Sequence, residues 1–360
     1  MASKIVVAGV TSLYMSVGVE EFPLEYAPAA AAPAWMRAGV TGSAGHIAQV
    51  LRRLGDEVRL CTLVGSDPPG LAIRADLRTQ GLLGQGVVDN GASSLGVVLV
   101  AADGRRMGFP YLAAVNAVGY PAETFIRQAE GADLAVLTNA RFVRPLIRHA
   151  TQLDVPVAVD THVISDVDDT YNRPWLEVAD IVFSSHERLP CSPREWVARV
   201  FERYPGCGVV GVGRGPDGCL LGLRDGTVVL AEALAPRGVV NTAGAGDALF
   251  ASFLHAWLAT GNPVDALEAA VLHAGWKIGD TFPGASSLTA PELADLRRTH
   301  RVRTSVGHWD TRRTVISCPS GPGRPSGPGR PSDASRPSDA SRPGCPAGPG
   351  AHEPARSAGS

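Results

Sequence analysis

The chain has 360 residues, of which 45 % are hydrophobic and 41 are glycine, enough for one large α/β domain or two small ones. Thirty-three basic residues against 35 acidic ones leave a formal charge of −2, and aromatic residues make up 6 %; a basic nucleic-acid platform and a stacking groove are therefore excluded. No run approaches the roughly 18 apolar residues of a membrane span, and Met1 to Gly9 does not read as a signal peptide, so no membrane partner is expected and the cytosol is the expected compartment.

Cysteine and lysine usage narrow the chemistry. The six cysteines form no CxxC pair and have no histidine at metal spacing, which argues against a zinc knuckle or a disulfide framework. Cys61, Cys191, Cys207 and Cys219 read as ordinary buried thiols. Lys4 and Lys277 are the only lysines. Neither lies in GxxxxGK[ST], so a P-loop is excluded, and phosphate chemistry here must rest on backbone N–H groups, arginine and metal.

In chain order, Ile5 to Ala8 is a β-branched run closed by Gly9, which suits a buried parallel strand. Ile47, Val50, Leu51 and Leu54 follow helical spacing from Ala44, with Gly55 at the C-cap. Val58 to Val64 reads as a strand and Leu71 to Leu82 as a helix. Leu95 to Val100 and Arg106 to Tyr111 flank Asp103-Gly104, a hairpin signal. Then Asp133 to Leu137 (strand), Val143 to Leu153 (helix), Val155 to Val159 (strand), Ile181 to Phe183 (strand), Glu195 to Tyr204 (helix) and Gly208 to Val212 (strand) alternate, which predicts a mainly parallel sheet covered on both faces. Asp160 ends one of these strands, where such sheets hold ligands; a solvated loop acid fits the same pattern. Cys219 to Leu223 and Thr227 to Leu230 predict an antiparallel edge around Asp225-Gly226. Ala245 to Ala259, Pro263 to Ile278 and Pro291 to Arg298 carry helical apolar stripes.

Beyond them, Cys318 to Ser360 holds 26 Pro, Gly or Ser among 43 residues and cannot offset its ordering entropy. Tandem Ser-Gly-Pro-Gly-Arg-Pro and Ser-Asp-Ala-Ser-Arg-Pro units between Ser320 and Pro343 are too short and polar for a solenoid. The expected organisation is one folded domain over residues 1–304 and a disordered tail over 305–360.

The segment Asn241-Thr242-Ala243-Gly244-Ala245-Gly246-Asp247 leads into the apolar helical run from Ala248. Small residues at 243 to 246 let a ligand approach the backbone, and the first turn of a helix offers unpaired N–H groups to an anion. A carboxylate at Asp247 beside such a site is placed to take a proton from a hydroxyl. An N-capped helix after a glycine-rich turn has the same appearance. Gly213 to Gly218 satisfies GxGxxG, but strand and turn follow it rather than the helix a dinucleotide fingerprint needs.

The 241–247 segment resembles the second signature of the ribokinase/PfkB carbohydrate kinases, DTxGAGD, with Asn241 in place of the first Asp. The resemblance implies Asp247 as catalytic base and Gly244, Ala245 and Gly246 as the anion hole; position 241 lies near that family's monovalent-cation region, which leaves cation dependence open. Gly42-Ser43-Ala44-Gly45-His46-Ile47-Ala48 is similar to the first signature, GGxxxNxA, with His46 for Asn, and implies Gly42, Ser43 and His46 as substrate residues. Tyr14 stands where the family places a substrate-binding Asp. The resemblance also implies a β lid in two parts, about 10–40 and 95–111, which in this family can pair two copies into a homodimer.

On the nucleotide side, Gly213 to Gly218 is similar to the family's TxGxxG turn, implying ATP contacts from Thr242, Arg214, Gly215 and Gly218. His273 stands where an Asn often meets the base. In the segment similar to NxxE, Ser185 and Arg188 take the Asn and Glu positions, leaving Glu187 as the one acid to organise Mg²⁺. The implied architecture is a three-layer ribokinase-like α/β sandwich with a small β lid. The implied activity is ATP- and Mg²⁺-dependent phosphorylation of a hydroxyl on a sugar or sugar-like molecule. A nucleoside kinase, or a degenerate binding protein that senses a sugar or nucleotide, remain alternatives.

Overall fold

The computed structural model describes residues 2–28, 34–284 and 287–309. From the N-terminus, β1 (Lys4–Ala8) is followed by β2 (Ser12–Val19), β3 (Met36–Thr41), α1 (Ser43–Leu54), β4 (Glu57–Gly65), α2 (Pro68–Thr79), β5 (Val87–Asn90) and the hairpin β6 (Ser94–Ala101) and β7 (Arg106–Tyr111). Then come α3 (Ala113–Asn116), α4 (Ala122–Ala129), β8 (Leu134–Leu137), α5 (Ile147–Gln152), β9 (Val157–Val163), α6 (Arg173–Leu176), β10 (Ile181–Ser185), α7 (Pro193–Arg203) and β11 (Val209–Gly213). The chain closes with β12 (Cys219–Leu223), β13 (Thr227–Ala231), α8 (Ala245–Thr260), α9 (Pro263–Lys277), α10 (Ala290–Thr299) and β14 (Thr304–His308).

Ten strands form the central sheet in the order β14-β13-β12-β11-β10-β9-β8-β1-β4-β5. Pairing is parallel from β5 through β11 and antiparallel from β11 to β14. Strand alternation divides the core between two faces. Ile5, Val7, Leu134, Ala158 and Phe183 pack with α1, α2, α8, α9 and α10; Val6, Ala8, Ala135, Val157 and Val182 pack with α4, α5, α6 and α7. Helices on both faces force each parallel strand to be apolar throughout, which is why these strands read as continuous runs. Among the described residues no helix is long and apolar enough to cross a membrane.

Four strands, in the order β3-β2-β6-β7, form a second, smaller sheet. Its register puts Leu13, Leu95 and Tyr111, then Met15, Val97 and Phe109, in cross-strand rows on one face. Of these, Met15, Leu95, Val97, Phe109 and Tyr111 are exposed. The alternate residues Tyr14, Gly96 and Arg106 belong to the opposite face.

Two sequence expectations are corrected. The helix expected from Val143 to Leu153 is split: Arg141–Leu146 is 3₁₀ and only Ile147–Gln152 is α-helical. Pro145, inside the 3₁₀ segment, has no N–H to donate back along an α-helix, so the α-helical hydrogen bonding starts only after it. The folded domain also runs past residue 304. Thr304–His308 pairs antiparallel with β13, the Trp309 N–H donates to the Gly226 carbonyl at 2.9 Å, and the Trp309 ring packs on Phe201 with centroids 5.3 Å apart. The expected tail from residue 310 onward lies outside the described residues. Trp309→Ala is expected to cost about 3 kcal/mol of folding stability, as for truncation of other buried aromatics. Urea denaturation checks this; an unchanged midpoint would mean that the ring packs without contributing.

Candidate active site

The helix α8 begins on Gly244, whose φ of +79° is left-handed. A Cβ there would stand 2.8 Å from the His46 ring and 3.1 Å from Pro283, so glycine is required both for backbone conformation and for space. The Ala245 N–H is taken up by the Thr242 carbonyl at 3.2 Å. Among the described residues no acceptor takes the N–H of Gly244, Gly246 or Asp247. The free amides at this helix start are therefore those of 244, 246 and 247 rather than the 244–246 set expected from the sequence. Together with the helix dipole they favour an anion.

Asp247 occupies the third helical position, with its side chain 15 % exposed. Its Oδ2 lies 3.4 Å from His46 Nδ1, and its buried Oδ1 has no hydrogen-bond partner. A buried carboxylate oxygen without a partner is costly in a protein interior and marks a place where a ligand proton can be received. His46 arrives from α1, which Gly42 starts at φ +92°; a Cβ at 42 would meet the Val10 carbonyl at 2.6 Å. The His46 ring is fully buried, so it stands under Gly244 and beside the carboxylate, closed to a substrate. Its two ring nitrogens have no hydrogen-bond partner, and in place of the substrate contact expected of it the ring lies against Asp247. Gly42 and Ser43 are half-buried at the start of α1.

Tyr14 crosses onto its neighbour strand: a Cβ at Gly96 would fall 2.1 Å from the Tyr14 ring. Burial, and after it the charge of Asp247, raise the pKa of the phenol, so Tyr14 stays a neutral donor near the carboxylate.

Asp160 lies within β9, three residues before its end, and is buried, which resolves the loop-acid alternative. Its Oδ1 accepts the His162 N–H at 2.8 Å, and its Oδ2 lies 3.3 Å from His162 Nδ1. His162 has a left-handed φ of 55°. Burial opposes charging of this imidazole, but Asp160, by charge and hydrogen bond, and Asp247 lift its pKa to about 9. Asp160, His162 and Asp247 offer ligand atoms within 4.8 Å of one another. The fit to a divalent cation rests chiefly on the two carboxylates, whose hard oxygens suit Mg²⁺ accompanied by phosphate and water. Glu187, the acid expected to organise the metal, is exposed in a short 3₁₀ turn and stands outside this group.

Thr242 and Glu187 instead line a cavity of about 550 Å³ with Phe22 and the hairpin residues Asp103 to Met107. The Arg106 Nε donates to the Thr242 hydroxyl at 3.2 Å, and Thr242 donates to the Gly104 carbonyl at 3.5 Å. The small sheet thus reaches the loop before α8 through Arg106, a residue with no signal of its own within Asp103-Gly104-Arg105-Arg106. Arg214, expected to serve phosphates, is tied to its own turn through the Asp217 carbonyl at 3.4 Å and carboxylate at 3.8 Å. Gly215 and Gly218 hold positive φ in that turn between β11 and β12. His273 is corrected outright. It is fully buried, its Nε2 accepts the Leu288 N–H at 2.9 Å and its Nδ1 pairs with the Ser252 hydroxyl at 2.7 Å. Burial holds its pKa down at about 3, so it is a neutral structural histidine with no polar atom left for a nucleotide.

Comparison with known proteins agrees with this geometry. A profile of the pfkB family of carbohydrate kinases matches residues 2–290. The chain is 31 % identical over 261 residues to the ATP-dependent ribose-1-phosphate kinase of Halopiger xanaduensis, covering 69 % of this chain and 85 % of that one. Among solved structures, the microbiome-derived acarbose kinase Mak1 superposes with a TM-score of 0.72 at 21 % identity, covering 82 % of this chain and 99 % of that one. The Burkholderia thailandensis nucleoside kinase in complex with inosine gives 0.65 at 18 %, covering 82 % and 97 %. With the family matched along nearly the whole folded unit, the chain belongs to the pfkB family of carbohydrate kinases and is a phosphotransferase that uses ATP and a hydroxyl acceptor.

Proposed function

We propose that this chain transfers the γ-phosphoryl group of ATP to a hydroxyl of a sugar or sugar-like small molecule, with Asp247 as general base. The observation that carries the reading is the unpartnered Oδ1 of Asp247 beside the free amides of Gly244, Gly246 and Asp247. The carboxylate takes the hydroxyl proton as the hydroxyl oxygen bonds to the γ-phosphorus. The bond to the bridging oxygen breaks, and ADP leaves with that electron pair. The free amides and the Arg106 guanidinium neutralise charge gathering on the transferring group. His46 fixes the base, while Tyr14, Gly42 and Ser43 surround the acceptor.

Thr242, Gly215 and Gly218 border the nucleotide. The Asp160 carboxylate would hold Mg²⁺, which supplies charge neutralisation on the ATP phosphates. The two adjacent arginines of the hairpin tip, with the relative named for ribose 1-phosphate, favour an acceptor that carries its own anionic group.

ADP release, measured with ribose, ribose 1-phosphate, a hexose and inosine as acceptors, tests this. The expected result is turnover with a sugar or sugar phosphate at least about tenfold above that with inosine, on the scale that one buried polar contact gives. Preference for inosine would make the chain a nucleoside kinase. ATP binding without ADP release across the panel would make it a sensor and overturn the proposal.

A further inference from the structure

Lys277 is the last residue of α9 and is fully buried. Its Nζ donates to the Asn241 carbonyl at 3.1 Å and, more closely, to the Ala243 carbonyl. Both carbonyls belong to the loop that turns into α8. Asn241 braces the same loop with its side chain: Oδ1 accepts the Ala243 N–H at 2.9 Å and Nδ2 donates to the Thr281 carbonyl at 2.9 Å.

A trans peptide is planar, with its C=O and N–H pointing in opposite directions. Pinning the Ala243 carbonyl on Lys277 therefore aims the Gly244 N–H away from the lysine. The ammonium also sets a positive charge behind the free amides. Burying an ammonium costs several kcal/mol, and in a chain whose other basic residues, Lys4 aside, are arginine or histidine, a lysine at this depth calls for a role. Burial lowers its pKa to about 7; Asp247 and Asp280 oppose that shift, while Arg106 and Arg237 add to it.

We propose that Lys277 is the built-in cation of the anion-binding loop: a positioning residue whose ammonium fills the place between the Asn241 and Ala243 carbonyls that a dissociable monovalent ion would otherwise take. Phosphoryl transfer by this chain then needs no added K⁺ or Na⁺. The inference rests on the reading of 244–247 as the anion hole.

The test compares the full chain and Lys277→Ala in K⁺, Na⁺ and tetramethylammonium buffers of equal ionic strength, reading both turnover and melting temperature. For the native chain neither quantity should change by more than about twofold in rate or detectably in melting temperature. Lys277→Ala should lose about 10²-fold in kcat, as for removal of one oxyanion donor, with a smaller change in the KM for ATP. K⁺, but not tetramethylammonium, should return part of that rate and raise the variant's melting temperature. Native activity that collapses in tetramethylammonium, or a Lys277→Ala protein with native kcat, overturns the proposal. If the variant fails to fold, the cation exchange on the native chain decides alone. The melting temperatures need no turnover, so failure of the kinase reading is told apart from failure of this one.

Discussion

Replacing Asp247 by Asn lowers kcat by about 10²- to 10⁴-fold, the contribution of a positioned base, with the fold and ATP affinity retained. The substitution keeps the size and one acceptor oxygen of the side chain but removes the basic lone pair. Because Oδ1 has no protein partner, no internal hydrogen bond is lost at that atom, and the loss falls on catalysis. The charge of Asp247 also helps to raise the His162 pKa. In the variant the imidazole should therefore titrate at lower pH than in the native chain, a shift that NMR of the histidine ring can follow. Steady-state rates together with thermal melts separate the two effects; native kcat in a folded Asp247→Asn protein would remove Asp247 from the mechanism.

Gly244→Ala carries the second large effect. The left-handed φ of +79° costs a residue with a Cβ about 1–2 kcal/mol. The new methyl would lie 2.8 Å from the His46 ring, so the loop or the histidine must move. Either movement disturbs the hole: one displaces the Gly244 amide, the other displaces the group beside Asp247 Oδ2. The expected outcome is a melting temperature lowered by several degrees, the scale of a 1–2 kcal/mol loss, and a kcat lower by about 10²-fold, comparable with loss of one oxyanion donor. Kinetics and calorimetry on the same preparation check both. A variant that melts early yet turns over at the native rate would show that this amide does not contact the transferring group.

The alternating strands and helices are legible in the sequence because both sheet faces are covered, and each parallel strand must be apolar on both sides. The edge strand β14 carries no such signal. Val306 is 62 % exposed, so Thr304 to His308 has no buried face to impose a period of two. Pro145 is visible in the sequence, but its effect on a helix depends on where the first turn begins.

In the site, Asn241 to Asp247 is legible through its likeness to a family signature, since glycine and small residues before an apolar helix by themselves also fit a plain N-capped turn. The surrounding charges are less so. His273 and Lys277 stand four residues apart on α9, both polar within an apolar stripe, and local spacing treats them alike. Tertiary placement separates them: the first is satisfied by Ser252 and Leu288, the second holds the loop before Gly244. Arg106 could not be linked to Thr242 from sequence, since 136 residues separate them. Arg214, adjacent to the expected nucleotide turn, is drawn into that turn by Asp217.

The central claim, phosphoryl transfer to a hydroxyl with Asp247 as base, is tested most directly by phosphorus NMR of ATP with the accepted sugar, using the native chain and Asp247→Asn side by side. The expected record for the native chain is loss of the ATP γ-resonance with ADP and one sugar phosphate ester formed in equal amounts, and for the variant neither product on the same timescale. ADP with inorganic phosphate in place of the ester, or ester formed by the variant at the native rate, would contradict it.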